Sequence, residues 1–240
     1  DGPPARVDAQ PDARLVAYLD ELELFPRLRK ASASWNQYVA HPFVDGIRDG
    51  SLPENAFRHY LAQDYLFLIQ FARAYALAAY KADTLGDIRD AAAGMSAIVD
   101  TEMSLHVEYC AGWGLREAEM EALPEASATM AYTRYVLEKG NQGDLLDLYV
   151  ALAPCVIGYG EIGARLSSDP GTTRDGNAYT PWIEMYAGED YQPAARAHAE
   201  TLDRLWQSRA GGARLDELCR TFDEATRLEV DFWQMGLDAA

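Results

Sequence analysis

The chain has 240 residues, of which 49% are hydrophobic, and 21 Lys and Arg against 38 Asp and Glu give a formal net charge of −17. Such an acidic surface repels nucleic-acid phosphates and anionic membranes, so both classes of partner are excluded. No apolar run approaches the roughly 18 residues that span a bilayer. The composition therefore predicts a soluble protein with one large domain or two small ones.

The predicted elements are helices throughout. A polar, proline-rich start of about a dozen residues is expected to be mobile. Helical periodicity follows, interrupted by Pro- and Gly-containing breakers, and no period-two alternation is long enough for a strand. The predicted helices span residues 12–23, 28–40, 53–82, 87–112, 124–139, 143–167, 178–187, 191–209 and 213–237. The pattern predicts an all-α helical bundle with one core.

Two of the predicted helices place a carboxylate on their apolar stripe. Asp64 lies three residues after Leu61 and four before Leu68. Glu229 lies four residues before Trp233 on the last helix. Residues at these spacings share one helix face, so both carboxylates are predicted to face the core. A carboxylate in that position is costly unless it is paired or hydrogen-bonded.

Cys155 lies on a third apolar stripe, with Leu152 and Tyr159, whereas Glu161 lies towards the other face. Four tyrosines could line the same interior: Tyr132, Tyr159, Tyr179 and Tyr186. An apolar pocket with a few convergent polar groups is the usual form of a small-molecule site. The helices are therefore predicted to direct a thiol and two carboxylates into a shared pocket.

Each candidate also has an ordinary structural interpretation. Cys155 could be a small, inert hydrophobic residue of the core. Asp64 and Glu229 could be buried structural acids satisfied by Arg73, Arg134 or a tyrosine. Tyrosines commonly pack without any catalytic role. Periodicity alone leaves these alternatives open.

The three cysteines give no sign of a disulfide framework. Cys110, Cys155 and Cys219 are widely spaced and include no CxxC pair. This pattern is typical of a reducing compartment and argues against a structural zinc site. The N-terminal residues show no basic stretch followed by an apolar one, so no secretory signal is expected. We therefore predict a cytoplasmic protein.

Metal and nucleotide motifs are weak. Glu102 and His106 are four residues apart, a spacing that a helical di-iron protein could use, but no second such pair exists. We interpret them as an ordinary pair on a helix surface. The run GYGEIG, residues 158–163, follows a helical segment and not a strand, so it is not a dinucleotide-binding loop. Neither a metal nor an organic cofactor is predicted.

Three segments carry a more specific pattern. Residues 41–82 contain HPFVDGIRDGSLP followed by YLAQD, residues 152–163 read LAPCVIGYGEIG, and residues 229–236 read EVDFWQMG. Together they resemble the thiaminase II (TenA) family of all-α, haem-oxygenase-like proteins. The similarity runs from about Leu28 to Leu237.

The resemblance implies an N-terminal extension of residues 1–27, partly mobile, and a TenA-like helical domain of residues 28–240. Many members carry a tyrosine near the thiol where this chain has Phe67. Ala153 and Gly160 replace bulkier residues, which could widen the pocket.

The resemblance also implies roles for the residues of the predicted pocket. Asp64 and Glu229 correspond to the pyrimidine-binding carboxylates, with Glu229 against the ring nitrogen, and Cys155 corresponds to the catalytic thiol. Tyr186 corresponds to a tyrosine that hydrogen-bonds the substrate. The implied substrate-binding residues are Tyr132, Tyr159, Tyr186, Phe67 and Phe232.

The cysteine-containing members resemble aminopyrimidine aminohydrolases of thiamin salvage. The implied reaction converts 4-amino-5-aminomethyl-2-methylpyrimidine to the hydroxymethyl pyrimidine, or hydrolyses thiamin, without a cofactor. The implied assembly is a homotetramer. Two alternatives stay open: a non-catalytic pyrimidine-binding or regulatory protein on the same scaffold, and a di-iron oxidase on a similar helical fold.

Overall fold

A computed structural model describes residues 11–240, with side chains from Arg14 onward. This part of the chain is helical, without a strand, and the prediction of an all-α fold is confirmed. Its helices are α1 (Pro11–Asp20), α2 (Leu24–Ala31), α3 (Trp35–Val39), α4 (Pro42–Asp49), α5 (Glu54–Lys81), α6 (Leu85–Ser96), a π-helical segment (Ala97–Glu102), α7 (Met103–Gly112), α8 (Glu117–Glu121), α9 (Ser127–Gln142), α10 (Leu145–Ser168), α11 (Thr180–Ala187), α12 (Gln192–Arg209) and α13 (Arg214–Asp238).

Helix α10 lies at the centre of the molecule. Its start is fixed by a capping box, in which Asp147 N donates to Asp144 at 3.2 Å and Asp144 N donates to Asp147 at 2.8 Å. By length and a mean hydropathy of 1.5 it could cross a membrane, but 89% of its most apolar window is buried inside the protein. Helix α10 is therefore a buried core helix, and α5, α9, α12 and α13 pack around it.

The predicted helix 87–112 is interrupted by the π-helical segment Ala97–Glu102. A π turn contains more residues than an α turn, so the face on which later residues lie cannot be extrapolated with a period of 3.6. Glu102 is 4% exposed and His106 is fully buried. The interpretation of these two residues as a helix-surface pair is therefore wrong.

The short helices differ most from the prediction. The range 28–40 divides into parts of α2 and α3, and α4 and α8 were not predicted. Helix α4 has Pro42 in its first turn, the His41 side chain as its cap, and Gly50 with a left-handed φ of 79° at its end. Helices this short contain too few periods to form a recognisable stripe.

The N-terminal helices share the core of the domain. Leu15, Leu19 and Leu24 are fully buried, and α1 packs against α10 and α12. The boundary between an extension and a domain at residue 28 stays a prediction. The expectation of a mobile start falls mainly on residues 1–10, which lie outside the described residues.

Candidate active site

The first polar group of the interior is centred on Glu229. This side chain is 1% exposed, and the Tyr132 hydroxyl donates a hydrogen bond to its Oε1 at 2.7 Å. Burial raises the pKa of the Glu229 carboxyl to about 8, although the hydrogen bond from Tyr132 acts in the opposite direction. At neutral pH this group can therefore both accept and donate a proton.

Cys155 lies beside the same carboxyl group. Burial and the neighbouring Glu229 carboxylate raise the pKa of the thiol well above its ordinary value, so the resting residue carries its proton. Pro154 has no backbone N–H and interrupts the hydrogen bonding of α10 next to the thiol. The Tyr38 hydroxyl donates to the Pro154 carbonyl and the Tyr191 hydroxyl to the Val156 carbonyl, both at 2.8 Å. These two bonds fix the backbone on either side of the thiol.

The second polar group joins α5 to α7. His106 Nδ1 lies 2.6 Å from the backbone oxygen of Glu102, and His106 Nε2 lies 2.6 Å from Asp64 Oδ2. A carbonyl oxygen only accepts, so Nδ1 carries a proton and the contact between Nε2 and Asp64 shares one more. Burial lowers the pKa of His106, but the hydrogen bond and charge of Asp64 outweigh burial, and the net pKa is raised. The pair therefore favours an imidazolium that faces a carboxylate.

Glu102 is a third buried acid, and the Tyr186 hydroxyl donates to its Oε1 at 3.0 Å. Burial and the charge of Asp64 raise its pKa to about 8. Sequence reasoning missed this residue and His106 as members of the site. The four-residue spacing of Glu102 and His106 was visible in the sequence. The π segment that turns both side chains inward is not visible in the periodicity of the apolar residues.

Aromatic side chains enclose these polar groups. Phe67 lies 5.0 Å from the ring of Tyr132 and 5.3 Å from the ring of Phe232. The Tyr159 hydroxyl is 2.8 Å from the hydroxyl of Tyr60, which sequence reasoning also missed. All of the implied substrate-binding aromatic residues are buried: Tyr132, Tyr159, Tyr186, Phe67 and Phe232.

Several expectations from the sequence are wrong in detail. The Tyr179 hydroxyl donates to the Leu52 carbonyl at 2.5 Å and its ring packs on Phe57, so this tyrosine belongs to the packing outside the site. The buried acids are not satisfied by arginines, because Arg73 is exposed and Arg134 binds Thr133 and Glu125. The third alternative, a tyrosine, is correct for Glu229, which accepts from the Tyr132 hydroxyl.

Two small residues also do not widen the pocket, contrary to the expectation. A Cβ at Gly160 would lie 2.8 Å from the Cβ of Ala195, so α12 already fills that space. Ala153 is fully buried, and neither residue lines the cavity beside Cys155.

A cavity of about 420 Å³ reaches this site from outside. Cys155, Phe71 and Glu102 line it together with residues of the π segment and of α12. Among the residues that the structure describes, no group of three or more His, Cys, Asp and Glu side chains is arranged to hold a metal ion. The site can exchange one proton between the thiol and Glu229 beside a cavity with aromatic walls.

Comparison with known proteins identifies the family. Residues 28–239 match the model of the TENA/THI-4/PQQC family. An uncharacterized protein of Haemophilus influenzae is 38% identical over 213 residues, which cover 89% of this chain and 98% of that protein. An aminopyrimidine aminohydrolase of Halalkalibacterium halodurans is 37% identical over 209 residues, covering 86% and 92% of the two chains.

A solved structure, described as a TenA family transcription regulator of Silicibacter sp. TM1040, superposes with a TM-score of 0.84 at 45% identity. The match covers 90% of this chain and 96% of that one. The fold is the all-helical, haem-oxygenase-like fold that the resemblance implied. With a family match over residues 28–239 and these close relatives, the chain belongs to the TENA/THI-4/PQQC family.

Proposed function

We propose that the protein is an aminopyrimidine aminohydrolase of thiamin salvage. It hydrolyses 4-amino-5-aminomethyl-2-methylpyrimidine to the hydroxymethyl pyrimidine, and also hydrolyses thiamin. The observation that carries this proposal is the placement of the Cys155 thiol beside the buried Glu229 carboxyl at the inner end of a cavity. The name of the Halalkalibacterium halodurans relative supports the reaction class.

Catalysis begins with a proton transfer between these two side chains. The thiol has a raised pKa and must lose its proton before it can act as a nucleophile. Glu229 accepts that proton in its ionised form, which is accessible because the pKa is only about 8. The same carboxyl group then gives the proton to the ring nitrogen, so Glu229 ends this step ionised again.

The thiolate adds to the ring carbon next to the one that bears the aminomethyl group. Protonation of the ring nitrogen makes the ring electrophilic enough for this addition. Electrons then move from the dearomatised ring to break the bond between methylene and nitrogen, and the substituent, which enters as a protonated amine, leaves as ammonia. The ring serves as its own electron sink, so these steps need no metal or organic cofactor.

Water completes the reaction. It adds to the exocyclic methylene, and its surplus proton goes to the departed ammonia. The ring carbon then releases the thiolate, and the ring-nitrogen proton returns through Glu229 to Cys155. The overall change consumes one water and produces the hydroxymethyl pyrimidine and ammonium.

The Asp64 and His106 pair orients the ring in this scheme. The His106 side chain faces Asp64, and a carboxylate accepts hydrogen bonds from the exocyclic amino group of an aminopyrimidine. Both residues are buried, so water competes little for these bonds.

The direct test incubates the purified protein separately with the aminomethyl pyrimidine and with thiamin, and follows the products by mass. We expect the hydroxymethyl pyrimidine from both substrates. If neither substrate is turned over, the proposal is contradicted.

A second candidate function is a non-catalytic regulator, because the solved Silicibacter structure is described as a transcription regulator. A regulator would bind the pyrimidine stoichiometrically and release it unchanged. The same incubation separates the two candidates, since only an enzyme yields more product than protein.

The proposal extends to the cellular setting. We place the enzyme in the cytoplasm, where free thiols such as Cys155 stay reduced. The implied assembly is a homotetramer.

A further inference from the structure

The cavity beside Cys155 extends well beyond the thiol. Residues of the π segment Ala97–Glu102 and of the first half of α12 line it. Tyr75 and His198 form a polar part of the inner surface, and both are buried. The proposed mechanism uses neither of these two residues.

The hydrogen bonds of His198 fix which atoms carry protons. Its Nε2 lies 2.8 Å from the backbone oxygen of Tyr149, which only accepts, so Nε2 carries a proton. Burial lowers the pKa of His198 to about 4, so the ring is neutral and Nδ1 is an acceptor. The Tyr75 hydroxyl, 3.1 Å from Nδ1, must therefore donate its proton to His198. Only the lone pairs of the Tyr75 oxygen remain for a ligand.

Other polar groups that line the cavity also offer hydrogen-bond acceptors to a ligand. Tyr191 lines the cavity and donates its hydroxyl proton to the Val156 carbonyl at 2.8 Å. Three aspartates line the cavity as well, Asp90, Asp100 and Asp190, together with Glu102, whose pKa is raised to about 8.

Of these acids, Asp90 is paired with Arg204. The hydroxyl groups of Ser96, Thr101 and Thr201 can either donate or accept. Within residues 14–240, no lysine or arginine lines this cavity. A cavity with these groups favours donors and cations and disfavours anions.

We propose that this cavity is the subsite for the leaving group, that it selects a protonated amine or another cationic substituent, and that Tyr75, oriented by His198, accepts a hydrogen bond from that group. The inference rests on the proposed function. In that function Asp64 and Glu229 hold the ring on the core side of Cys155, and the substituent at the reacting methylene extends from the thiol into the cavity. A protonated amine held there departs directly as neutral ammonia.

The same surface rejects phosphate esters. A phosphate group would meet carboxylates and hydrogen-bond acceptors without a cationic side chain to balance its charge. Phosphorylated precursors therefore reach this enzyme only after a phosphate-ester hydrolysis has removed the anionic group.

The first test compares three pyrimidines that differ only at the 5-substituent: 4-amino-2,5-dimethylpyrimidine, the aminomethyl compound and the carboxymethyl compound. Inhibition constants are measured for the two unreactive compounds, and KM and kcat for the aminomethyl compound. We expect the carboxymethyl compound to bind at least about 10-fold more weakly than the dimethyl compound, because its anion faces carboxylates. Equal or tighter binding of the anion would overturn the subsite.

The second test uses Tyr75→Phe, which removes the oxygen that would accept from the leaving group and, with it, the hydrogen bond to His198. We expect kcat/KM for the aminomethyl pyrimidine to fall roughly 10- to 100-fold, as for a lost hydrogen bond to a charged group. The inhibition constant of the dimethyl compound should stay within about 2-fold, since this compound has no leaving group. A general structural defect would lower kcat/KM and raise the inhibition constant of the dimethyl compound together, and this would count against the proposal, as would an unchanged kcat/KM.

The matched control is Tyr179→Phe, which removes a buried hydroxyl that donates to the Leu52 carbonyl outside the site. It should leave both values unchanged. The subsite and the proposed function can fail separately. If the carboxymethyl compound binds as well as the dimethyl compound while the aminomethyl compound is still turned over, only the subsite is refuted. Tight, Tyr75-dependent binding of the aminomethyl compound without turnover refutes the proposed function alone.

Discussion

At the scale of single residues, the chemistry depends on two protonation states that burial creates. The Cys155 thiol is held protonated, and the Glu229 carboxyl has a pKa of about 8. In the proposed mechanism, the pair is active when it carries one proton in total. At lower pH a second proton occupies Glu229, and the thiol then has no base. Burial thus provides a base that works near neutral pH from a residue that is an ordinary acid in water.

We expect Cys155→Ser to abolish turnover and leave the fold intact. Serine is close to cysteine in size, so little packing is lost, but its hydroxyl is a far weaker nucleophile at neutral pH. Product formation and circular dichroism check the two parts. Cys219→Ser, at a half-buried position on α13, is the control and should keep full activity. Near-normal turnover by Cys155→Ser would contradict a covalent mechanism.

Glu229→Gln should lower kcat by roughly 10²- to 10⁴-fold, the usual range for the loss of a general acid–base group. The amide keeps the shape and one acceptor oxygen but cannot carry the proton from Cys155. Wild-type kcat/KM should rise with pH and level off above about pH 8, the pKa of Glu229. The rise of kcat/KM with pH up to about 8 should be absent from the pH profile of Glu229→Gln.

Thermal stability of Glu229→Gln should be unchanged or higher, because the amide cannot acquire the buried charge that Glu229 acquires as the pH approaches 8. Nearly full kcat in this variant would show that another carboxyl group transfers the proton, with Asp64 the next candidate.

At the scale of secondary structure, regular helices were predictable and the irregular one was not. Asp64 and Glu229 lie on long helices of constant period, so their inward direction followed from spacing. Glu102 and His106 lie at and after the π segment, where the period changes. Their direction depends on tertiary packing, which no local pattern of apolar residues encodes.

The π segment also has a consequence for stability, because it buries Glu102. The pKa of this carboxyl is about 8 in the folded protein against 4.5 in the unfolded chain. The folded state therefore keeps a proton that the unfolded chain releases, and the stabilising contribution is fully present below about pH 4.5. That contribution is lost as the pH rises towards about 8.

Glu102→Gln removes this dependence and keeps an acceptor for the Tyr186 hydroxyl. We expect the melting temperature of the variant minus that of the wild type to be larger at pH 8 than at pH 5, as measured by thermal denaturation. Glu108→Gln, on the exposed side of α7, is the control and should show no such trend. A difference that stays constant with pH would mean that Glu102 is ionised in the folded protein at both pH values.

At the scale of the whole molecule, the lining of the leaving-group cavity bears on substrate choice. A protonated amine can donate an N–H to the Tyr75 oxygen, whereas the ring nitrogen of the thiazolium of thiamin carries no hydrogen to donate. We expect a higher kcat/KM for the aminomethyl pyrimidine than for thiamin when both are measured under the same conditions. An equal or higher value for thiamin would reverse this prediction.

The last prediction concerns assembly, and it begins from the exposed face of α6. This helix buries only Ala91. Leu85 is 59% exposed, Ile88 is 39% exposed, and Val99 in the following π segment is 49% exposed. Leu85, Ile88 and Ala92 follow the alternating spacing of three and four residues that is typical of helices packed against another helix. Since the surface is strongly acidic, a second copy could approach most readily at such an uncharged face.

We therefore expect the wild-type protein to be a homotetramer at micromolar concentration by light scattering, and Ile88→Asp to reduce the mass. The new carboxylate would be buried without a partner in the contact between two copies. Its burial costs several times the free energy of a typical substitution at an exposed position. Leu123→Asp is the matched control, because Leu123 is 37% exposed but lies outside α6, and it should keep the wild-type mass. A wild-type mass of 26.6 kDa would refute the tetramer. A tetramer that withstands Ile88→Asp would mean that the copies meet at another face.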